Sequence, residues 1–175
     1  MGTPLHVTLR TGQLQDANRL AVLLTQVWLH TYAKTGITED IAEYVLSEFT
    51  PEKCSAWLNE PSFQVFVAEQ EEALMGVAVV RCGVSCPAQK AWMTELQTLY
   101  VQEHCIGKGI GKRLLQAAEN TAKRLANTGL WLTVNVNNFR AIEFYAYQGY
   151  LKIGTTYFIL GQTRHENHIL VGGCA

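Results

Sequence analysis

Cys105-Ile106-Gly107-Lys108-Gly109-Ile110-Gly111-Lys112-Arg113 alternates glycines at 107, 109 and 111 and sets bases at Lys108, Lys112 and Arg113 among them. Upstream, Thr94 to Val101 is rich in β-branched and aromatic residues, which predicts a strand. Downstream, Ile110, Leu114, Leu115, Ala118, Ala122 and Leu125 recur at spacings of three and four. That period predicts a helix from about Gly109 to Ala126 with one buried face. A helix N-terminus presents unpaired N–H groups and a partial positive charge, and glycines let a ligand approach the backbone closely. The turn is therefore expected to hold an anion. Glycines serving only a tight bend are the blander alternative.

Counting excludes two familiar phosphate loops. A P-loop needs Gly five residues before its Gly-Lys pair and Ser or Thr after it; here Ile106 and Arg113 stand at those places. A dinucleotide fingerprint needs Gly at its first, third and sixth positions, and counted from Gly107 the sixth is Lys112.

The pattern resembles motif A of the GNAT superfamily of N-acetyltransferases, a strand ending Leu-x-Val that leads into Arg/Gln-x-x-Gly-x-Gly/Ala and a helix. The matching residues are Leu99, Tyr100 and Val101, then Ile106 to Gly111. Ile106 departs from the family's Arg or Gln. A second match lies downstream. Leu130 to Val136, Asn138, Ala141, Tyr145 and Gly149-Tyr150 resemble motif B, commonly Asn-x-x-Ala-x-x-x-Tyr-x-x-x-Gly-Phe/Tyr. In order of elements the resemblance spans about residues 5 to 160, with motif-level matches between 92 and 151.

Composition agrees with one enzyme-sized domain over residues 1–175. The chain is long enough for one substantial core and short for two. Apolar residues at 48% and charged ones at 17% argue against disorder and against a coiled coil. Fourteen bases against fifteen acids offer nucleic acid no net attraction. No signal peptide is read at the start, Met1-Gly2 lacks the Ser or Thr at position 6 that myristoylation requires, and Leu20 to Leu29 is too short to cross a bilayer. No membrane partner is expected, and the cytoplasm is the expected compartment. The odd cysteine set, Cys54, Cys82, Cys86, Cys105 and Cys174, reads as reduced thiols. Cys82, Cys86 and His104 make a weak metal set. His165 and His168 fall three apart on a strand and so face opposite sides, and no metal is expected.

The remaining chain reads as a strand at His6 to Arg10, a helix from Asp16 to about Tyr32, and a second helix capped by Thr38. A short helix then starts at Pro51 and reaches Leu58. Phe63 to Glu69 and Leu74 to Arg81 form a hairpin turning at Gln70 to Glu72. After the 109–126 helix come a strand at Leu130 to Val136, a helix at Arg140 to Gln148, and strands at Tyr150 to Leu160 and His168 to Val171. This order implies an α+β fold. The resemblance makes it a GNAT-like mixed, mostly antiparallel central sheet flanked by helices, with two splayed strands forming an acyl-CoA slot.

The resemblance further implies acetyl transfer from acetyl-CoA to a primary amine by direct attack in a ternary complex, with acetyl-CoA as co-substrate. Cofactor contacts would fall on Leu99, Val101, Ile106, Gly107, Lys108, Gly109, Ile110, Gly111, Lys112, Asn138 and Tyr145. Tyr145 matches the tyrosine that protonates the departing thiolate, and Glu95 a position where many members carry a base. That base acts directly or through water. A lysine-like amine has a pKa of about 10.4, so it arrives protonated and needs one. The strand face of Glu95 depends on whether a bulge shifts the register. Backbone N–H groups near Leu99 and Val101 would polarise the thioester carbonyl.

The acceptor site would draw on Trp28, Tyr32 and Glu95, with the acids Glu39, Asp40 and Glu43 nearby to suit a cationic amine. Trp28 and Tyr44 as core residues is the alternative. Phe158 to Gln162 faintly resembles small bacterial polyamine acetylators, so a small amine such as a polyamine is the expected acceptor. Protein or peptide amines and aminoglycosides stay open. So do a homodimer and a sensor or scaffold module that binds acetyl-CoA without turnover.

Overall fold

The computed structural model of this chain describes residues 6–126 and 128–173; the Met1-Gly2 start and Cys174 lie outside them. The elements are β1 (Thr8–Thr11), α1 (Ala17–Tyr32), α2 (Glu39–Glu48), α3 (Pro51–Asn59), β2 (Phe63–Gln70), β3 (Ala73–Cys82) and β4 (Thr94–Val101). They continue with α4 (Ile110–Ala126), β5 (Leu130–Asn135), α5 (Phe139–Tyr147), β6 (Leu151–Leu160) and β7 (Thr163–Gly172).

Local chemistry sets most of these boundaries. Thr38 and Thr50 cap α2 and α3 by accepting from the N–H groups of Ile41 and Lys53, and Pro51 opens α3. The β2–β3 hairpin closes through Glu71 and Glu72, both at positive φ (49° and 66°). This is the mirror-image two-residue turn whose twist suits antiparallel strands, here built from residues that adopt it under strain. On α4, Ile110, Leu114, Leu115, Ala118 and Ala122 are buried as the period requires. Leu125, in the last turn, is half exposed, and Thr121 joins the buried stripe instead, its hydroxyl donating to Ala117 O.

The strands form a sheet in the order β1-β2-β3-β4-β5-β7-β6. Every neighbouring pair is antiparallel except β4–β5. The fold is thus a mixed, mostly antiparallel sheet flanked by helices. Helix α4 covers one face, where Leu114 and Leu115 pack with Val80, Leu96, Leu130 and Leu132. Helices α1 and α3 cover the other, where Leu20, Leu24 and Cys54 meet Val65, Val67, Val77 and Val79. Strand β7 is longer than the expected 168–171. Its first half, Thr163 to Asn167, is polar and lacks apolar alternation, and is held by its ladder with β6.

Two irregularities break the regular ladder around β4. Val80 pairs with Leu96 but Val79 with Thr98, so Gln97 is an extra, bulged residue in β4. Strands β4 and β5 run parallel but share register only at Glu95 and Trp131. Beyond that pair they part.

Candidate active site

The loop between β4 and α4 makes the wall of a cavity of about 350 Å³ lined by Leu99, Val101, Ile106, Gly107, Gly109, Ile110, Gly111 and Lys112, with Asn138 and Tyr145 opposite. Gly107 and Gly109 sit at φ 81° and 76°, and a Cβ on either would meet nothing within 4 Å. Open space beside left-handed glycines at the start of a helix is what a bound anion requires. Lys112 lines the cavity, but the exposed Lys108 side chain does not. Arg113 donates to the carbonyl of Val7 at 3.0 Å, so its guanidinium anchors the chain before β1.

Gln102 donates its N–H to Met75 O on the β3 side. Along a strand the N–H groups alternate in direction, so those of Leu99 and Val101 point the other way, into the gap left by β5. Asn138 caps α5 by accepting from Ala141 N–H at 3.2 Å. Tyr145 is buried, its ring 5.2 Å from Phe144 and 5.5 Å from Tyr150. Burial, and then the nearby Tyr32, push its hydroxyl well above the ordinary tyrosine range, so it holds its proton.

A second, larger cavity of about 670 Å³ lies on the sheet face under α1 and α2. Trp28 forms its base, with ring centroids 5.1 Å from Tyr32 and 4.9 Å from Tyr44, and is packed against Ile41 and Val45. Trp28 is therefore both core and lining. Thr31, Tyr32, Tyr100, Asn138 and Arg140 line both cavities. The two spaces meet between the parted strands.

Glu95 lies before the bulge, opposite Arg81 on β3 and Trp131 on β5, and lines neither cavity. Burial pushes its carboxyl up, with the Arg81 charge opposing. The β4 residue that reaches the larger cavity is the bulged Gln97. Glu39, Asp40 and Glu43 line neither cavity, because α2 turns Ile41 and Tyr44 inward. At the shared rim, Arg140 donates to both carboxylate oxygens of Glu103 at 2.9 Å, and His30 Nε2 stands 3.3 Å from the same group. Among the described residues no three His, Cys, Asp or Glu side chains gather as a metal set, and no helix is long and apolar enough to cross a membrane.

The sequence model of the acetyltransferase (GNAT) family matches residues 27–150. The chain belongs to that family. It is an acetyl-CoA-dependent N-acetyltransferase. An uncharacterized N-acetyltransferase of Mycobacterium tuberculosis is 25% identical over 158 residues, covering 90% of this chain and 97% of its own. Another, from Lactobacillus delbrueckii subsp. lactis, is 24% identical and covers 89% and 91%. Among solved structures, the PaiA N-acetyltransferase of Thermoplasma acidophilum in complex with coenzyme A superposes with a TM-score of 0.78 at 21% identity, covering 95% of this chain and 98% of that one. A ribosomal-protein-alanine N-acetyltransferase of Brucella melitensis gives 0.67 at 20% identity, covering 94% and 98%. At these identities the likeness is one of fold.

In this acetyltransferase the structure thus gathers the motif A residues other than Lys108, and Asn138, Ala141 and Tyr145 of motif B, around the smaller cavity, and leaves Leu130 to Val136, Gly149-Tyr150, Glu95 and the Lys108 side chain outside its lining. It also brings Lys34, Gln97, Asn135, Arg140, His165 and Asn167 to the larger one. The Asn-rich run from 135 to 138 is the one local signal for these. The others come from separate elements and carry none.

Proposed function

We propose that the chain moves an acetyl group from acetyl-CoA directly to a primary amine, with both substrates bound at once in the two joined cavities. The observation that carries this is the opening where β4 and β5 part, lined on both sides by Tyr32, Tyr100 and Asn138. A thioester arm entering from the glycine loop and an amine entering from the larger cavity would meet there. The coenzyme A complex of the Thermoplasma acidophilum relative supports the choice of donor.

In this reading the amides around Gly107, Gly109 and Gly111, with Lys112, hold the pyrophosphate. Asn138 hydrogen-bonds the pantetheine arm, and the inward N–H groups of Leu99 and Val101 stabilise the oxyanion that forms as nitrogen attacks the carbonyl. The carbon–nitrogen bond forms, the carbon–sulfur bond breaks, and Tyr145 gives its proton to the departing thiolate. Glu95, which lines neither cavity, takes the amine's proton through intervening water. Trp28 and Tyr32 present ring faces to the incoming ammonium.

The test is chromatographic measurement of coenzyme A release from acetyl-CoA against pooled amino acids, small amines, polyamines, aminoglycosides and peptides. Release with one pool is the expected outcome. Acetyl-CoA binding with no release from any pool would overturn the reading.

A further inference from the structure

We propose that the acceptor carries a carboxylate beside its amine, an amino-acid-class substrate, and that Asn167 and Lys34 receive that carboxylate. The inference rests on the reading of the larger cavity as the acceptor groove, and names its substrate class.

A chain of hydrogen bonds fixes which way the groove's amides point. The backbone N–H of Asn137 can only donate, and its partner at 2.9 Å is Asn135 Oδ1. The other end of that amide is then the NH2, which donates to Asn167 Oδ1 at 3.3 Å. That turns the Asn167 oxygen towards Asn135, using one of its two lone pairs, and leaves both its N–H donors for the groove.

The charges agree. No Asp or Glu is among the groove's lining residues, whereas Lys34, beyond the end of α1, lines it and has no ion pair among the described residues. At the shared rim the Glu103 carboxylate is held in a two-pronged bond by Arg140. A polyamine would place its distal ammonium groups among N–H donors with no carboxylate to meet them, an unfavourable mismatch in a partly desolvated groove. A carboxylate would find charge-assisted donors in the same place. The aromatic side, where Tyr44 stands 5.3 Å from Phe158, suits the apolar part of an amino acid and its ammonium.

The experiment compares matched pairs that differ only in the carboxylate: phenylalanine with phenethylamine, tryptophan with tryptamine, lysine with cadaverine. Binding to the intact protein in the presence of coenzyme A is read by calorimetry, and turnover by coenzyme A release. The carboxylate-bearing member of at least one pair should bind and turn over about tenfold or more better. Asn167→Asp and Lys34→Gln should each remove most of that preference, weakening the amino acid about tenfold or more with acetyl-CoA binding nearly unchanged, while the decarboxylated partner binds no worse, and tighter where Asn167→Asp adds a carboxylate. A merely structural role for either residue would weaken both members alike. Equal binding within every pair, or tighter binding of the decarboxylated members, would overturn the inference. Tighter binding of the amino acid without any release would uphold it and reject acetyl transfer to that amine, so the two readings fail separately.

Discussion

Gly109 and Tyr145 both line the smaller cavity and answer to opposite kinds of substitution. Gly109 has room for a Cβ but a φ of 76°, so Gly109→Trp combines backbone strain with a side chain that fills the cradle. Acetyl-CoA binding measured by calorimetry should be lost. Tyr145→Phe removes one hydroxyl from a buried ring, so turnover should fall by about 10²–10⁴ with acetyl-CoA affinity nearly intact. An equal loss of binding in both variants would remove the acid role from Tyr145. Because burial raises the Tyr145 hydroxyl above its ordinary value of about 10, its proton stays on below that pH. The alkaline fall in kcat should therefore not begin below about pH 10 on its account; a limb below pH 10 that vanishes in Tyr145→Phe would contradict the assignment. At this scale the glycines were legible in the sequence, since positive φ is a local demand. The position of Glu95 was not, because a single bulged residue at Gln97, set by pairing with β3, moves which β4 side chain reaches the groove.

Among the elements, the β2–β3 hairpin stores removable strain. Glu71 and Glu72 both hold left-handed conformations that Asn and Gly adopt more readily. Replacing the pair by Asn-Gly should raise stability by about 1 kcal/mol in urea unfolding, with no change in turnover. Gly129, just before β5, is the opposite case. A Cβ there would collide with the Gly172 carbonyl on the neighbouring strand and reach Trp92 at 2.9 Å, so Gly129→Ala should destabilise by about 2 kcal/mol in the same assay. Helix positions and their caps, Thr38 and Pro51 above all, were readable because both periodicity and capping are short-range. The first half of β7 was not, since its polar residues owe their strand conformation to the adjoining β6.

Across the whole molecule, Asp16 ties the beginning of the fold together. Fully buried, it accepts from Arg10 on β1 at 2.7 Å and 3.0 Å, from Arg19 on α1 at 2.5 Å and from the N–H of Gln13, while Arg10 also reaches Glu69 on β2. Removing one partner strands the others, so Asp16→Ala should cost about 3 kcal/mol by urea unfolding. The hydrogen bonds from Arg10 hold the Asp16 carboxyl below its ordinary value. With its folded pKa lower than its unfolded one of about 3.9, its contribution is complete well above that pH and disappears as pH falls through the folded value. The acid side of the stability profile should flatten in the Asp16→Ala variant, which unfolding midpoints between pH 7 and pH 3 would measure.

By itself the sequence determined the order of strands and helices, the glycine turn before α4 and the membership of the chain among acetyltransferases, because those rest on period, turn chemistry and motif spacing within short stretches. Only the tertiary structure decided where β4 and β5 part, and so where the two cavities join. It alone placed Gln97, Lys34, Asn135 and Asn167 in the larger cavity and set Glu39, Asp40 and Glu43 outside it. The physical reason is that a groove lined from α1, α2, β4, β5, α5, β6 and β7 is made of side chains far apart in sequence. Their approach depends on sheet pairing and packing, and leaves no local pattern to read.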